Sequence, residues 1–286
     1  MSTATDHNPG IVLVLGASGA VGQGLVGELG RAGSTVLAVS RRPPEHSEPG
    51  VIWYQHDLAD GPLACQASTL FSAGPLNLAV NQVEAMRGLG RVVALSSASL
   101  YFKGDASEAS ERDGSEQAVM ARLLNAERRL QALCERRSIP LTVFRPAMIY
   151  GGGTDRNVER LADLMGRLPV VPVAGRGRRH PVHAEDLAGV MVEAVSRGVT
   201  GTLALGGGET LDYVSMLDRI ARARGLSPRI LRLPAWMLTA TAAAARPLGL
   251  LRDIRPAMLR RQSRDLLVDD GPARRQLGWA PRTFQP

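Results

Sequence analysis

The chain is predicted to be an α/β protein, a doubly wound parallel sheet with a smaller C-terminal lobe, and three observations predict it. Short aliphatic runs recur at 11–15, 35–39, 51–55, 68–72, 91–96 and 141–144, which is the rhythm of strands alternating with helices. These runs are continuous rather than alternating, as strands covered on both faces of a sheet require. The first of them, IVLVL, enters a glycine-rich turn that opens into helical spacing.

In chain order, residues 1–10, MSTATDHNPG, read as a flexible N-terminus. The turn that follows the first strand is spaced Gly16-x-x-Gly19-x-x-Gly22. Gly16 allows a sharp bend, Gly19 lets backbone approach a pyrophosphate, and Gly22 lets the helix lie close on the strand. Free amides at the helix N-terminus then face the anion. A glycine triplet alone says little in a chain with 31 glycines, but a strand before it and a helix after it make it specific. Residues 11–150 are therefore expected to form a Rossmann-like dinucleotide-binding core. Within it, QAVMARLLNAERRLQALCERR carries Val119, Leu123, Ala126, Leu130 and Leu133 on one helical face. Residues 151–286 are expected to complete the sheet and form a substrate lobe, with a strand at 202–206, a helix near 213–224 and an Ala-rich helix from 235.

Composition narrows the function. The formal charge of +7 and pI near 10.3 could serve nucleic acid, but the arginines are spread among glutamates along helices, so nucleic-acid binding is not expected as the main role. Cys65 and Cys134 lack disulfide or metal-ligand spacing and read as reduced packing residues; no metal is expected. The opening residues have no signal-peptide pattern, which fits a cytoplasmic protein. The most membrane-like stretch, 235–251, is interrupted by Arg246 and Pro247 and reads as a core helix rather than a spanning segment.

The second strand exits as VLAVSRRP, where dinucleotide folds carry an acid for the ribose 2′-hydroxyl. Here the positions hold Ser40, Arg41 and Arg42, and guanidinium groups suit a 2′-phosphate, so NADP is preferred over NAD; a solvated arginine pair is the plainer alternative. Asp57, after the third strand, either accepts a hydrogen bond from an adenine amino group or caps a helix.

The segments GASGAVG, SRRP, HDLAD, RVVALSSASLY, FRPAMIYGGG, HPVHAEDLA, GGGETLDYVSML and RRQLGWAPRTFQP, in this order, resemble the NAD(P)-dependent epimerase/dehydratase family, the extended and atypical short-chain dehydrogenases/reductases. The resemblance runs from residue 11 to the end. It implies a seven-stranded sheet with the cofactor across its C-terminal edge. It also implies that Gly16, Ser18, Gly19, Ala20, Val21 and Gly22 form the pyrophosphate loop and that Asp57 and Leu58 line the adenine pocket. Ala73 and Gly74 match the loop after the fourth strand, Ser96, Ser97 and Ser99 the serine-rich end of the fifth, and Pro146 and Ile149 the nicotinamide wall. The family's serine or threonine holds the reacting oxygen; Ser99 either does so or merely ends a strand.

The departure from the family is sharper than the match. Lys103 is the single lysine of the chain, and the residue four before it is Ser99, so no Tyr-x-x-x-Lys pair exists. Aligning the family's helical glutamate on Glu127 puts Val119 and Leu123 where tyrosine and lysine belong, and neither can move a proton. Two functional classes remain. One is an NADP-dependent oxidoreductase or isomerase with replaced catalytic residues, Ser99, Tyr101 and Lys103, with Tyr150 and Arg145 behind them; Tyr101 and Lys103, in an extended segment, would point to one side. The other is a non-catalytic dinucleotide-binding scaffold or redox-sensing subunit. A nucleotide-sugar epimerase ranks lower, since it needs the missing tyrosine. The substrate is a small molecule the sequence does not name, and a homodimer through the helices flanking the fifth strand is possible for such a family. His183, Glu185 and Asp186 read as a helix start rather than a metal cluster, Arg176, Arg178 and Arg179 as surface arginines or an anion clamp, and Trp279 as packing.

Overall fold

The computed structural model describes residues 10–45, 47–102, 114–153, 157–234, 237 and 262–286. Six strands fall on the aliphatic runs: β1 (Val12–Leu15), β2 (Val36–Ser40), β3 (Val51–Gln55), β4 (Thr69–Ser72), β5 (Arg91–Leu95) and β6 (Leu141–Pro146). Between and after them lie α1 (Ala20–Arg31), α2 (Leu76–Ala85), α3 (Ser99–Phe102) and α4 (Gly114–Arg136). The second half contributes β7 (Ile149–Tyr150), α5 (Val158–Arg167), β8 (Val170–Val173), β9 (Arg178–Arg179), β10 (Val182–His183) and α6 (Ala184–Ser196). It ends with β11 (Gly201–Leu205), β12 (Leu211–Asp212), α7 (Tyr213–Ala223), β13 (Arg229–Arg232) and α8 (Gly271–Leu277).

Seven strands form one sheet in the order β11-β6-β5-β4-β1-β2-β3, every neighbouring pair parallel. This is a Rossmann-like doubly wound sheet, whose order reverses between β1 and β4. That switch point opens a crevice at the carboxyl ends of the strands. Because all strands run one way, Gly16, Ser40, Ala73, Ser96 and Pro146 come out on the same edge of the sheet.

Alternation along the strands explains the two buried faces. Val12, Val14, Val36, Ala38, Phe71 and Val93 point to α1 and α6, with Leu25, Val26, Leu187 and Met191. Leu13, Leu15, Leu37, Val39, Leu70, Val92 and Ala94 point to α2 and α4, with Val80, Val83, Leu130 and Cys134. Helix α2 was not read from the sequence, although Leu76, Ala79, Val80 and Val83 are buried at helical spacing. A third core joins Tyr150, Val158, Met165, Val173, Met216, Ile220 and Phe284 in the C-terminal half.

Three sequence expectations meet corrections here. The segment expected to be extended around Tyr101 is helical at Ser99–Phe102, so alternation along a strand does not set its direction. Asp57 caps no helix: its carboxylate accepts from the Ala59 amide at 3.0 Å in a tight turn. Arg179 is not a surface arginine but buried, donating to the carbonyls of Arg178 and Arg264. Lys103, residues 1–9 and, apart from Met237, the 235–251 stretch lie outside the described residues. Among the described residues no helix is long and apolar enough to cross a membrane.

Candidate functional site

The glycine loop after β1 is shaped by backbone proximity. Gly16 has φ +72°, and a Cβ there would fall 2.7 Å from the Gly74 amide nitrogen. The loop after β4 therefore lies directly against the first glycine, which brings Ala73 and Gly74 to the same crevice as Gly16. Gly22 lies in the first turn of α1, where a Cβ would come within 2.1 Å of the Gly16 carbonyl oxygen and 2.7 Å of the Ala17 Cα, so its smallness lets the helix start close against the residues that follow β1. Gly19, the exposed N-cap of α1, has no side chain to satisfy the helix start, and the first turn carries no acid. The Ala20, Val21 and Gly22 amides are thus left for an external anion.

At the neighbouring strand end, Ser40 is buried and donates from Oγ to the Ser18 hydroxyl at 2.8 Å, while accepting from the Arg42 amide at 3.0 Å. The Arg41 and Arg42 side chains are exposed, and neither forms an ion pair among the described residues. Asp57 and Leu58 lie just past β3, Leu58 leaning on the α2/α4 core. A cradle that a Cβ would fill, three unsatisfied helix amides and two uncommitted guanidiniums fit the diphosphate and adenosine end of a nicotinamide dinucleotide.

The other half of the crevice is built from side chains. Glu127 of α4 is 1% exposed and accepts from the Ser96 hydroxyl at 2.6 Å and from Arg145 Nε at 3.2 Å. A further contact joins Arg145 Nη2 to its second oxygen. On its outer side the Arg145 guanidinium lies over the Tyr101 ring, 4.7 Å from the centroid. Burial works against the Arg145 charge, but its bonds to Glu127 and Tyr101 more than offset that and hold its pKa above the ordinary arginine value. The Ser96 hydroxyl is therefore committed to Glu127 rather than turned outward. Ser97 caps α3 by accepting from the Ser99 amide at 3.1 Å, and the Ser99 hydroxyl has no partner among the described residues.

Val119 and Leu123, the residues that the sequence resemblance aligns with a Tyr-x-x-x-Lys pair, are respectively 48% exposed and half-buried. Pro146 ends β6, its carbonyl accepting from the Ala98 amide at 3.0 Å, and Ile149 opens β7 beside Val182. The Glu127–Arg145 pair was half-visible: the sequence marked both residues for their positions, but nothing in it said that they meet.

The remaining polar residues are structural. His183 caps α6 by accepting from the Glu185 amide at 3.2 Å and lies edge-on to Tyr150, 5.0 Å between ring centroids. Glu185 and Asp186 hold Arg282, with contacts of 2.9 Å and 2.8 Å, and Arg178 is paired with Asp265 at 2.7 Å. Trp279 is buried and donates to the Gly206 carbonyl. Burial pushes the Cys134 thiol up to about 11, so it is inert. A groove of about 660 Å³ runs between α1, α6 and residues 277–282, on the flank of the sheet rather than at its carboxyl edge.

No family model matches the chain, and no curated protein matches it in sequence. Many solved structures share its fold. MoeE5, solved with UDP-glucuronic acid and NAD, is 24% identical with a TM-score of 0.65, over 96% of this chain and 95% of that one. UDP-glucose 4-epimerase of Thermotoga maritima, solved with UDP-glucose, is 15% identical with a TM-score of 0.69, over 96% and 94%. The Bordetella bronchiseptica enzyme WbmH, in complex with NAD+, is 16% identical with a TM-score of 0.68, over 97% and 94%. The likeness extends over nearly the whole of each chain, and at these identities it is one of fold.

Proposed function

We propose that this chain is an NADP-preferring dinucleotide-binding protein of the epimerase/dehydratase type, working as an oxidoreductase or isomerase with non-standard catalytic residues. One observation carries the reading: Gly16 is bent against Gly74 beside three unsatisfied amides, with Arg41 and Arg42 free of acids at the β2 exit. The solved structures of the same fold that hold NAD support a nicotinamide dinucleotide in this crevice. The guanidiniums in place of an acid favour its 2′-phosphate form. When bound, the nicotinamide supplies hydride transfer.

What this chain's own groups do follows from their positions. Tyr101 sits at the rim of the crevice with its ring held by Arg145, and its phenol is the group that would donate a proton to the reacting oxygen. The Ser99 hydroxyl would hydrogen-bond the same oxygen, and Lys103, two residues after Tyr101 in the sequence and outside the described residues, is the candidate cation. The buried Glu127 fixes Arg145, so that Tyr101 rests on an immobile surface. Nucleotide sugars are the first substrates to try, because solved structures of this fold contain them.

A second reading is favoured by Val119 and Leu123, which put two aliphatic side chains where the family's proton relay would be. On that reading the dinucleotide is held and no chemistry follows. Thermal shift with NADPH, NADH and neither separates the coenzymes. Nicotinamide oxidation and sugar interconversion are then followed with UDP-glucose, UDP-glucuronic acid and a small carbonyl panel. Turnover that disappears in Tyr101→Phe supports the enzyme with Tyr101 as its acid. Unchanged turnover in that variant removes Tyr101 from the role, and tight coenzyme binding without any turnover selects the holder.

A further inference from the structure

The two edges of the seven-stranded sheet are finished differently. At the β11 edge, Ala273 and Leu277 of α8 and Trp279 bury with Leu203 and Leu205, and Trp279 donates to the Gly206 carbonyl. At the other edge, β3 reads VIWYQ, without the charges or proline that commonly blunt an exposed strand. Register with β2 puts Ile52 beside Leu37 and Tyr54 beside Val39, on the α2/α4 face, yet Ile52 is 48% and Tyr54 41% exposed. The main chain of β3 divides by parity. Gly50 accepts from Val36 and His56 donates to Ser40, so the even-numbered residues face β2, while Val51, Trp53 and Gln55 turn their N–H and C=O groups outward. Val51 is already committed: its amide donates to the Glu48 carbonyl and its carbonyl accepts from the Ser47 hydroxyl. Trp53 and Gln55 keep their outward main-chain groups without a partner among the described residues.

We propose that β3 is a homodimer interface, on which a second copy of the chain lays its own β3 antiparallel, across a two-fold axis at Tyr54, and continues the sheet. The free groups select this partner. With Tyr54 opposite its own copy, Trp53 of each chain stands opposite Gln55 of the other in a hydrogen-bonded pair, and every free outward N–H and C=O on both strands is used. Centring the pair on Trp53 instead would oppose Gln55 with the committed Val51 and leave half of these groups unpaired. The edge is therefore complementary to itself in one register. In that register Tyr54 meets its copy at the close, non-hydrogen-bonded spacing, and Ile52 of each chain is the diagonal neighbour of the other's Tyr54, which joins the exposed apolar side chains into one strip. The ends match in charge as well. Glu48 precedes the strand, Arg41 lies at its far end, where Gln55 Nε2 donates to the Arg41 carbonyl, and antiparallel pairing carries each Glu48 toward the other copy's Arg41. This surface is separate from the helices flanking β5. One short strand with its flanks is at the small end of protein interfaces, so the expected affinity is micromolar.

The test is sedimentation velocity of the full chain from about 1 to about 100 μM, over which wild type is expected to pass from monomer to dimer. Tyr54→Lys sets two like charges face to face, and Gln55→Pro deletes an outward amide but no bond to β2; each should weaken the dimer about tenfold or more. Both positions are exposed, and either variant decides the question where the other does not fold. Glu48→Arg should weaken the dimer less, by about two- to fivefold. The register is read separately by cross-linking under a mild oxidant, with wild type, which carries Cys65 and Cys134, as the blank. Tyr54→Cys should give a disulfide-linked dimer, because directly opposed Cα atoms about 4.5 Å apart can be bridged. Ile52→Cys should not, because its two copies stand about 13 Å apart along the strands. A wild type that stays monomeric at about 100 μM overturns the proposal. So does a dimer that persists undiminished in Tyr54→Lys and Gln55→Pro, which places the contact elsewhere, as on the helices flanking β5. Equal cross-linking of Tyr54→Cys and Ile52→Cys overturns the register and the pairing with it.

Discussion

The two halves of the crevice are made of different material. At the glycine-loop end, the shape comes from main chain: Gly16 bent against Gly74, Gly22 under the Gly16 carbonyl, and the bare start of α1. At the proposed reaction end it comes from side chains, with Glu127 bonded to Ser96 and Arg145 and the Arg145 guanidinium over Tyr101. Backbone geometry leaves almost no choice of residue, since only glycine fits where a Cβ would strike an amide. A side-chain array can be exchanged residue by residue while the fold stands. On the proposed function, the binding half of the site keeps the form of its fold, while the chemical half departs from it.

The largest expected effect lies at the side-chain end. Glu127→Gln leaves the Arg145 guanidinium, only 18% exposed, without its counter-charge, and should cost about 3–5 kcal/mol by urea unfolding. Replacing both partners, Glu127→Met with Arg145→Met, should cost far less than that single change, because two apolar groups do not need each other. A single variant within about 1 kcal/mol of wild type would break the comparison, since it would mean that the reaction end is not organised by this pair.

Next in size is Gly16→Ala. It forces a side chain into a left-handed backbone and against Gly74, for a combined cost of about 2–4 kcal/mol from strain and overpacking. The thermal shift produced by NADPH should vanish with it, whereas Glu127→Gln should keep that shift. If both variants lose coenzyme binding equally, the two ends are one cooperative unit and the division between them fails.

The same division decides what the sequence could show. Continuous strands and the glycine turn are local: the aliphatic runs of β1, β2, β4, β5 and β6 predict their own burial, whereas β3, at the sheet edge, leaves Ile52 and Tyr54 exposed, and the spacing of Gly16, Gly19 and Gly22 carries the turn. The short β7–β10, β9–β12 and β8–β13 pairs were not legible, because each joins segments with no pattern of their own at that length. Helix α2 was hidden by Pro75 and two asparagines, although its buried face is regular. The Ser18–Ser40 bond and the Glu127–Arg145 pair are both contacts between residues 22 and 18 positions apart or more, set by strand register rather than by spacing. Tyr101 went astray for a different reason: Ser97 caps a helical turn at Ser99, where the sequence reads as the loose end of a strand.

The smallest predicted effect probes pH. Amides do not titrate, so the glycine cradle has nothing for acid to act on, whereas the end of β11 is tied down by a histidine. His180 Nε2 accepts from the Val268 amide at 2.9 Å, and its Nδ1 side lies against Gly206. Burial lowers the His180 pKa, Asp270 raises it and Arg274 lowers it, with a net shift below the ordinary value. Asp270 and Arg274 are themselves paired at 2.8 Å, which blunts the help Asp270 can give a charged ring. The unfolded chain therefore takes up this proton first, near pH 6.5, and stability rises with pH through that range. The contribution is complete above about pH 6.5 and is lost as pH falls through the lower folded value. Protonation of Nε2 also removes the acceptor for Val268. His180→Gln should cost about 1 kcal/mol at neutral pH, the value of one buried hydrogen bond. Measured as urea midpoints at two or three pH values, the gap between wild type and variant should close as the solution is acidified. A gap that stays constant would assign the cost to packing around Gly206, and the β11 end would then be as indifferent to pH as the cradle.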